Sequence, residues 1–282
     1  MTKNRSRRDF LRMAIPAAMA IGCGRSKELA PSQDFKMQSP WVNDAEFIGY
    51  FVALSNGGYK AQGLDLVYQP GGPDIIAEGT ILSRRADIAL TPVETTINLI
   101  VRDNAPLRII GAQYQKSPLG VVSLVKNHIT KPEDLVGKTL AVPPANVLTV
   151  EALLKANRIK KADVRIVPYQ YDPGPLLRGE VDATIDFVTN VPYSIKQAGA
   201  EPTSFLIYDF GFSVYNDTVV VTQDTLRQRR KQVLSWLRGS RRGWEENFKD
   251  TEHYPPLFMD TYFKGTGRTV QNETSSIPRR SP

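Results

Sequence analysis

Short apolar runs alternate along the chain with segments that have helical spacing. Residues 64–69, 86–90 and 181–187 are strand-like, because each is a compact apolar run bounded by turn residues. Residues 45–56 and 93–102 instead place small and apolar side chains at helical spacing. This alternation predicts an α/β fold with mainly parallel sheets.

The first 22 residues have the composition of an export signal. Five basic residues and one acidic residue lie in residues 1–22, and an apolar run occupies residues 13–22. That run is too short for a membrane span, which needs roughly 18 apolar residues, but it has the length of a signal-peptide core. Within the charged part, SRRDFL resembles the twin-arginine export motif through Arg7 and Arg8. We therefore expect export of the folded protein by the twin-arginine pathway.

The single cysteine follows this apolar run. The sequence AIGC, residues 20–23, resembles a lipobox, in which the cysteine is lipidated and becomes the first residue of the mature chain. We expect Cys23 to anchor the protein in a membrane, with residues 23–35 as a flexible tether. An ordinary cleaved signal with an incidental cysteine is the alternative, because Ala20 replaces the usual leucine of a lipobox.

The charge and the motif content exclude several function classes. The net charge is +7, but the leader carries more than half of it, so the rest of the chain gives no case for nucleic-acid binding. One cysteine and two distant histidines, His128 and His253, give no metal-ligand spacing. No phosphate-binding glycine loop or serine-hydrolase motif is present. We therefore expect neither a metal nor a cofactor.

An ordered set of motifs between about residues 35 and 263 resembles a known family: WVNDAEFIGYFVALSNGGYKAQGLDLVYQPGGPD, SRRADIALTPVETTI, EDLVGKTLAV, DPGPLLRGEVDATIDF and DTVVVTQDTL. The chain resembles the periplasmic binding proteins for nitrate, sulfonates, thiamine-pyrimidine precursors and riboflavin. This resemblance implies a type II periplasmic binding protein fold, with two α/β lobes joined by two hinge strands and a ligand cleft between them. The lobes are expected at residues 36–122 with 216–282, and at residues 123–215.

The resemblance also implies a role. The protein would be the periplasmic or cell-surface component of an ABC importer, which captures a solute and delivers it to an inner-membrane permease and its ATPase. The strand-end positions carry aromatic, amide and acidic groups and no obvious arginine, whereas a sulfonate or nitrate site usually needs cations or several N–H donors. A neutral or cationic aromatic heterocycle, such as a thiamine pyrimidine precursor or riboflavin, is therefore the expected ligand. A sulfonate or nitrate is the alternative.

The resemblance implies a ligand site at strand ends and helix starts. The ring of Trp41 would stack on a planar heterocycle, and Asn43 would bond its ring nitrogens or carbonyls. Gly71 and Gly72 would let the backbone approach the ligand at a helix start. The expected ligand-binding residues are Trp41, Asn43, Phe47, Tyr50, Gly71, Gly72, Asp74, Thr91, Glu94, Asn146, Asp186, Asn190 and Tyr215.

Packing and capping are the alternatives for several of these residues. Trp41 and Phe47 would also suit an apolar core, where aromatic side chains are common. Glu94 would be favourable at the start of a helix without any ligand, and Asn190 would serve as a helix cap.

Two other classes of protein are compatible with the same fold. The chain resembles a thiamine-pyrimidine synthase in outline, but the lysine and histidine positions of that enzyme correspond to Thr91 and Thr95, and a further histidine position corresponds to Phe47. Without a Schiff-base amine the covalent chemistry is excluded, so we expect a binding protein and not an enzyme. An extracytoplasmic sensor or scaffold with a degenerate cleft is the third class. The polar segment after Phe263 departs from the family pattern and predicts a truncated or frameshifted first lobe.

Overall fold

The computed structural model describes residues 34–72, 74–169 and 172–277, whose strands form two sheets. The first sheet consists of β1 (Phe35–Gln38), β2 (Leu66–Gln69), β3 (Ile88–Thr91), β4 (Leu107–Tyr114) and β10 (Asn216–Thr222). The second consists of β5 (Leu119–Leu124), β6 (Thr139–Val142), β7 (Arg165–Pro168), β8 (Ala183–Phe187) and β9 (Pro202–Leu206). The strand orders are β2–β1–β3–β10–β4 and β7–β6–β8–β5–β9.

Helices pack around each sheet. The helices of the first lobe are α1 (Ile48–Ser55), α2 (Ala77–Leu82), α3 (Val93–Asp103), α7 (Gln223–Gln228), α8 (Arg230–Asn247), α9 (Tyr254–Phe258) and α10 (Val270–Ser276). Those of the second lobe are α4 (Val147–Ala156), α5 (Gly174–Leu177) and α6 (Val191–Gln197). None of the helices in the described part of the chain combines the length and the apolar character that crossing a bilayer requires.

Strands β3 and β10 each contain a continuous apolar run, at residues 88–90 and 219–221, because both faces of these runs are covered. Ile88 and Leu90 of β3 pack in one core cluster, and Ala89 between them packs in another. Val219 and Val220 of β10 divide between the same two clusters. Successive strand residues point to opposite faces, so a strand that is buried on both sides has no polar alternation.

The sheets are mixed, which corrects the expectation of mainly parallel sheets. β1 pairs parallel with β2 and β3, and β6 pairs parallel with β7 and β8. β10 pairs antiparallel with β3 and β4, and β5 pairs antiparallel with β8 and β9. The antiparallel pairs arise because β5 and β10 are the strands that enter each sheet from the other lobe.

Two boundaries of the expected lobes differ from the structure. The chain leaves the first sheet after β4, and all of β5 pairs within the second sheet, so residues 119–122 lie in the second lobe and the crossing lies at residues 115–118. The return crossing lies between β9 and β10. Phe35 is fully buried in β1 and is part of the first core, not of a tether. The predicted signal and the lipidation and export residues Cys23, Arg7 and Arg8 lie outside the described residues.

Close helix packing holds the first lobe together. A side chain at Gly243 of α8 would place its Cβ 2.0 Å from the carbonyl oxygen of Gly49 in α1. Only glycine permits this approach between two backbones. Beside it, the rings of Phe51 and Tyr262 stack with centroids 4.3 Å apart. The segment after Phe263 contributes α10, whose N-cap Thr269 accepts a hydrogen bond from the Asn272 N–H, and α10 packs on α9.

Candidate ligand-binding site

A cavity lies between the two lobes at the carboxyl ends of several strands. Its volume is about 460 Å³, within the range of roughly 300–1,000 Å³ that small-molecule sites occupy. Residues that follow β1, β3, β6 and β8 line it, among them Trp41, Pro92, Pro143 and Asn190. Strand carboxyl ends are where open α/β sheets bind ligands, so the position of the cavity follows from the topology.

Five of the residues expected at the site line this cavity: Trp41, Asp74, Asn146, Asp186 and Asn190. They come from both lobes. What they share is a position just beyond a strand or just before a helix, where the backbone turns at the sheet edge.

Gly71 supports the cavity wall without lining it. Its N–H donates to the carbonyl oxygen of Trp41 at 2.8 Å. A Cβ at Gly71 would lie 2.3 Å from the Ser39 carbonyl oxygen, whereas a Cβ at Gly72 would meet nothing within 4 Å. Neither Gly71 nor Gly72 lines the cavity, and ligand contact by their backbone stays a prediction; Gly71 is needed for the close approach of the loop that carries Trp41.

Two aromatic residues expected at the site are core residues. Phe47 is fully buried in the first core. Tyr50 is 3% exposed and stacks on Trp236, with ring centroids 5.6 Å apart. Neither lines the cavity, and ligand contact by either residue stays a prediction. The helical pattern places them on the face of the 45–55 segment that packs against α8.

Thr91 and Asn43 make structural hydrogen bonds. The Thr91 hydroxyl is fully buried and lies 2.7 Å from the Thr96 hydroxyl and 3.0 Å from that of Thr218. Asn43 donates from Nδ2 to the carbonyl oxygen of Tyr262 at 3.0 Å. Neither residue lines the cavity, which corrects their assignment.

Glu94 and Tyr215 also lie away from the cavity. Glu94, in α3, accepts a hydrogen bond from the hydroxyl of Thr149 in α4, and therefore links the two lobes. Burial raises the pKa of Glu94 to about 7. Tyr215 is 56% exposed and precedes β10. Neither residue lines the cavity, so ligand contact by them stays a prediction, and Glu94 lies where the two lobes meet.

A buried ion pair that the sequence did not indicate lies beside the cavity. Asp44 is 2% exposed; its Oδ1 accepts the Glu46 N–H at 2.9 Å, and its Oδ2 lies 3.1 Å from the Arg268 guanidinium. Arg268 also approaches Glu273 at 3.6 Å, and Glu273 accepts the Ala45 N–H at 2.5 Å. Arg268 follows the last strand by many residues, so no strand-end pattern could identify it.

Glu46 and Asp217 form a second acidic pair on the cavity wall. Their carboxyl groups are hydrogen-bonded to each other, and Gln113 donates from Nε2 to Asp217 at 3.2 Å. Asp217 has a φ of 49°, in the left-handed region that few non-glycine residues adopt. Asparagine and aspartate tolerate this region best, and such outliers concentrate at functional sites.

Burial raises the pKa of several of these carboxyl groups. Desolvation raises the pKa of Asp186 and of Asp217 to about 6. Desolvation and the adjacent Asp217 charge raise the pKa of Glu46 well above its usual range. Burial together with the neighbouring carboxylate thus disfavours ionisation of both members of this pair at once.

Direct contacts join the lobes around the cavity. Asn190 donates from Nδ2 to Asp44 at 3.4 Å, and Asn272 of α10 donates from Nδ2 to the Ser194 hydroxyl of α6 at 2.8 Å. Together with the bond between Glu94 and Thr149, these contacts hold the cleft in a closed arrangement.

Covalent and metal chemistry have little support at the cavity. Its described lining includes no lysine or histidine. Thr95, at the position compared with a synthase histidine, donates to Glu78. Within the ranges that the structure describes, no three Asp, Glu, His or Cys side chains are grouped to hold a metal ion.

Two α/β lobes, two crossings and a cavity at facing strand ends are the features of the periplasmic binding protein fold. A model of the family described as NMT1/THI5 like matches residues 44–253, and the chain belongs to that family. The riboflavin-binding protein RibY of Chloroflexus aurantiacus is 22% identical over 238 residues, with 81% of this chain and 66% of that protein covered. The chain thus spans 66% of the length of this curated relative.

Solved structures have the same fold. The periplasmic aliphatic sulphonate binding protein SsuA of Escherichia coli superposes with a TM-score of 0.68 at 14% identity, covering 87% of this chain and 82% of its own. The alkanesulfonate-binding protein SsuA of Xanthomonas axonopodis pv. citri, bound to MOPS, gives a TM-score of 0.63 at 11% identity, covering 88% and 83%. The expected two-lobed fold is thereby confirmed.

Proposed function

We propose that this protein is the solute-binding component of an ABC importer and that it captures a small aromatic heterocycle, such as a thiamine pyrimidine precursor or riboflavin. The observation that carries the proposal is the cavity of about 460 Å³ between two lobes, with crossings at residues 115–118 and between β9 and β10 that would serve as hinges. A curated relative named as riboflavin-binding supports the ligand class.

The cavity wall suits a flat ring with polar edges. Trp41 lies on the first-lobe side, and Pro143, Pro144 and Phe187 lie on the second-lobe side. Apolar and aromatic surfaces would cover the faces of a ring, while Asn146 and Asn190 would bond its edge. This arrangement resembles the usual small-molecule site, in which a few polar groups fix the orientation of an otherwise apolar contact.

The proposal places the protein in the periplasm or on the cell surface. Arg7 and Arg8 would direct export by the twin-arginine pathway, and Cys23 would anchor the mature chain through lipid. The closed form would deliver its solute to a permease and its ATPase in the inner membrane. Two fold relatives are named as binding components of an ABC-type import system and of an amino acid ABC transporter.

Sulfonates are the second ligand class to test, because the solved relatives with this fold include sulfonate-binding proteins. The cation that a sulfonate would need is Arg268, but Asp44 and Glu273 already pair with it. The cavity therefore favours a heterocycle over an anion. The absence of a lysine from the described lining favours binding over synthase chemistry.

A thermal-shift screen of the purified protein tests the proposal. The ligands would be hydroxymethylpyrimidine-type compounds, thiamine, riboflavin and alkanesulfonates. Binding to the folded state raises the melting temperature by mass action, so a saturating heterocycle should raise it by several degrees. A shift with sulfonates alone would show that the ligand is a sulfonate and not a heterocycle. No shift with any compound would favour a scaffold with a degenerate cleft and reject the importer role.

A further inference from the structure

The floor of the cavity is acidic. Asp44, Glu46 and Asp217 of the first lobe and Asp186 of the second all line it. Asp44, Glu46 and Asp217 are 2%, 8% and 3% exposed. Carboxyl groups are rarely buried to this degree unless they are paired with a cation or share a proton.

The protein supplies too few cations to pair these carboxyl groups. Arg268 is the cation beside them, and Asp44 and Glu273 share it. No lysine or arginine is found among the described residues of the lining. The Arg268 guanidinium therefore serves Asp44, Glu273 and, at longer range, Asp186, so this part of the cavity has more carboxyl groups than cations.

The hydrogen-bonding groups that remain on the floor are acceptors. Asn190 is 7% exposed and lines the cavity, and its Oδ1 has no hydrogen-bond partner. Its Nδ2 is used by Asp44. A buried acceptor without a donor is costly, so this amide oxygen favours a ligand that donates hydrogen bonds.

A metal ion does not fit this floor. The carboxyl groups of the described residues do not come together in any group of three that could hold one. The walls above the floor are apolar, with Trp41, Pro143 and Leu148 among them. Spread acceptors beneath apolar walls suit a planar organic cation with several N–H groups better than a compact ion.

We infer that the floor binds a positively charged, planar nitrogen group of the ligand, such as an amidinium or a protonated aminoheterocycle. Its N–H groups would donate to Asp186, Asp217 and the Asn190 Oδ1, while the ring that bears it contacts Trp41. This inference rests on the proposed function, because it specifies the ligand of the same cavity.

Three compounds that share the same ring but differ in charge test the inference. Benzamidine is a cation, benzamide is its neutral counterpart, and benzenesulfonate is an anion. Calorimetric titration of the full protein near pH 8 should give benzamidine the tightest binding, by about tenfold over benzamide, which corresponds to about 1.4 kcal/mol. Benzenesulfonate should bind most weakly.

Two variants locate the effect. Asp217→Asn should weaken benzamidine binding by about tenfold and leave benzamide binding within about twofold, because only the charged contact is removed. Asp134→Asn is the matched control, since Asp134 is a half-buried carboxylate of the second lobe that does not line the cavity; it should change neither affinity. Asp186→Asn provides a second test from the other lobe, so a folding defect in one variant would not decide the result.

Benzamidine binding no tighter than benzamide, or absent at millimolar concentration, would overturn the inference. Equal losses for both compounds in Asp217→Asn would do the same. A neutral heterocycle that raises the melting temperature while benzamidine fails to bind would keep the solute-binding function and reject the cation site. If benzamidine binds but no heterocycle of the thermal-shift screen does, the cation site would stand and only the role as a heterocycle importer would be rejected.

Discussion

The first lobe places most of the charge on the cavity wall, whereas the second lobe contributes mainly apolar side chains and amides. The carboxyl groups of the first-lobe lining are Asp44, Glu46, Asp74, Glu78 and Asp217. The described second-lobe lining has one, Asp186, beside Leu119, Pro143, Pro144, Ala145, Asn146, Leu148, Ile185, Phe187 and Asn190.

Most of the groups that hold the first-lobe carboxylates lie in the first lobe as well. Asp44 is held by Arg268, by the Glu46 N–H and, from the second lobe, by Asn190, and Asp217 is held by Glu46 and Gln113. The comparison indicates that the first lobe selects the charge of a ligand and that the second lobe selects its shape. Because the acidic side chains of the first lobe are already held in place, little conformational entropy is lost when a ligand binds to them.

The substitution Gly71→Ala should have the largest effect, because it displaces the first-lobe wall. The added Cβ would lie 2.3 Å from the Ser39 carbonyl oxygen and 2.4 Å from the Trp41 nitrogen. We expect a loss of about 3 kcal/mol in the free energy of unfolding, measured by denaturant titration. Gly72→Ala is the control, since its Cβ meets nothing within 4 Å. Equal stability of the two variants would show that the loop adapts freely.

Trp41→Ala should come next and should act on affinity. Loss of a ring that contacts the ligand is expected to cost about 2 kcal/mol, or roughly 30-fold in Kd, for the best heterocycle of the screen. Tyr215→Ala serves as the control, because Tyr215 is 56% exposed and outside the cavity. An unchanged Kd for Trp41→Ala would remove stacking from the description of the first-lobe wall.

The pH dependence of stability should report the acidic floor. The pKa of Asp186 and of Asp217 is about 6 in the folded protein, above the ordinary aspartate value of 3.8. The folded state therefore binds more protons than the unfolded state between about pH 4 and pH 6, and the free energy of unfolding falls as the pH rises through that window. Glu46, Glu94 and Glu273, whose pKa values are also raised, act in the same direction.

We accordingly expect the melting temperature of the ligand-free protein to be higher at pH 5 than at pH 7. Each kcal/mol of difference in the free energy of unfolding should shift the melting temperature by a few degrees. Asp217→Asn should flatten this slope. Asp134→Asn should leave it unchanged, because backbone hydrogen bonds lower the pKa of Asp134 and it titrates below the window. A melting temperature that rises from pH 5 to pH 7 would contradict the raised pKa values.

Ser194→Ala should give the smallest effect, since it removes one contact between the lobes. The Ser194 hydroxyl accepts from Asn272 Nδ2 at 2.8 Å. Loss of this bond should cost about 1 kcal/mol of closure, or about fivefold in ligand affinity. Ser204→Ala, an exposed serine of β9, is the control. Equal affinities would show that this contact does not contribute to the closed state.

The sequence was sufficient for the parts of the fold that are encoded locally. β1, β6 and β8 are short strands that the sequence marks locally, and residues at or just beyond their carboxyl ends line the cavity, which is why Trp41, Asn146, Asp186 and Asn190 could be placed there. Phe47 could not be placed in this way, because periodicity identifies an aromatic helix face but not whether that face meets a core or a cavity.

The acidic floor was beyond local patterns. Glu46 resembles an ordinary carboxylate at a helix start, and its meeting with Asp217 depends on β10 returning from the second lobe. Arg268 reaches Asp44 from a polar segment without apolar periodicity. Contacts between residues so far apart in sequence are fixed by the topology, and a single sequence does not display that pairing.

The position of β10 also sets the order in which the protein can be completed during synthesis. β10 lies between β3 and β4 in the first sheet, so those two strands have unpaired neighbouring edges until residues 216–222 leave the ribosome. The second sheet is continuous in sequence from β5 to β9 and can assemble earlier. A nascent chain therefore carries a finished second lobe beside an open first sheet, and exposed strand edges of that kind favour aggregation. Chaperone demand should consequently peak just before β10 emerges.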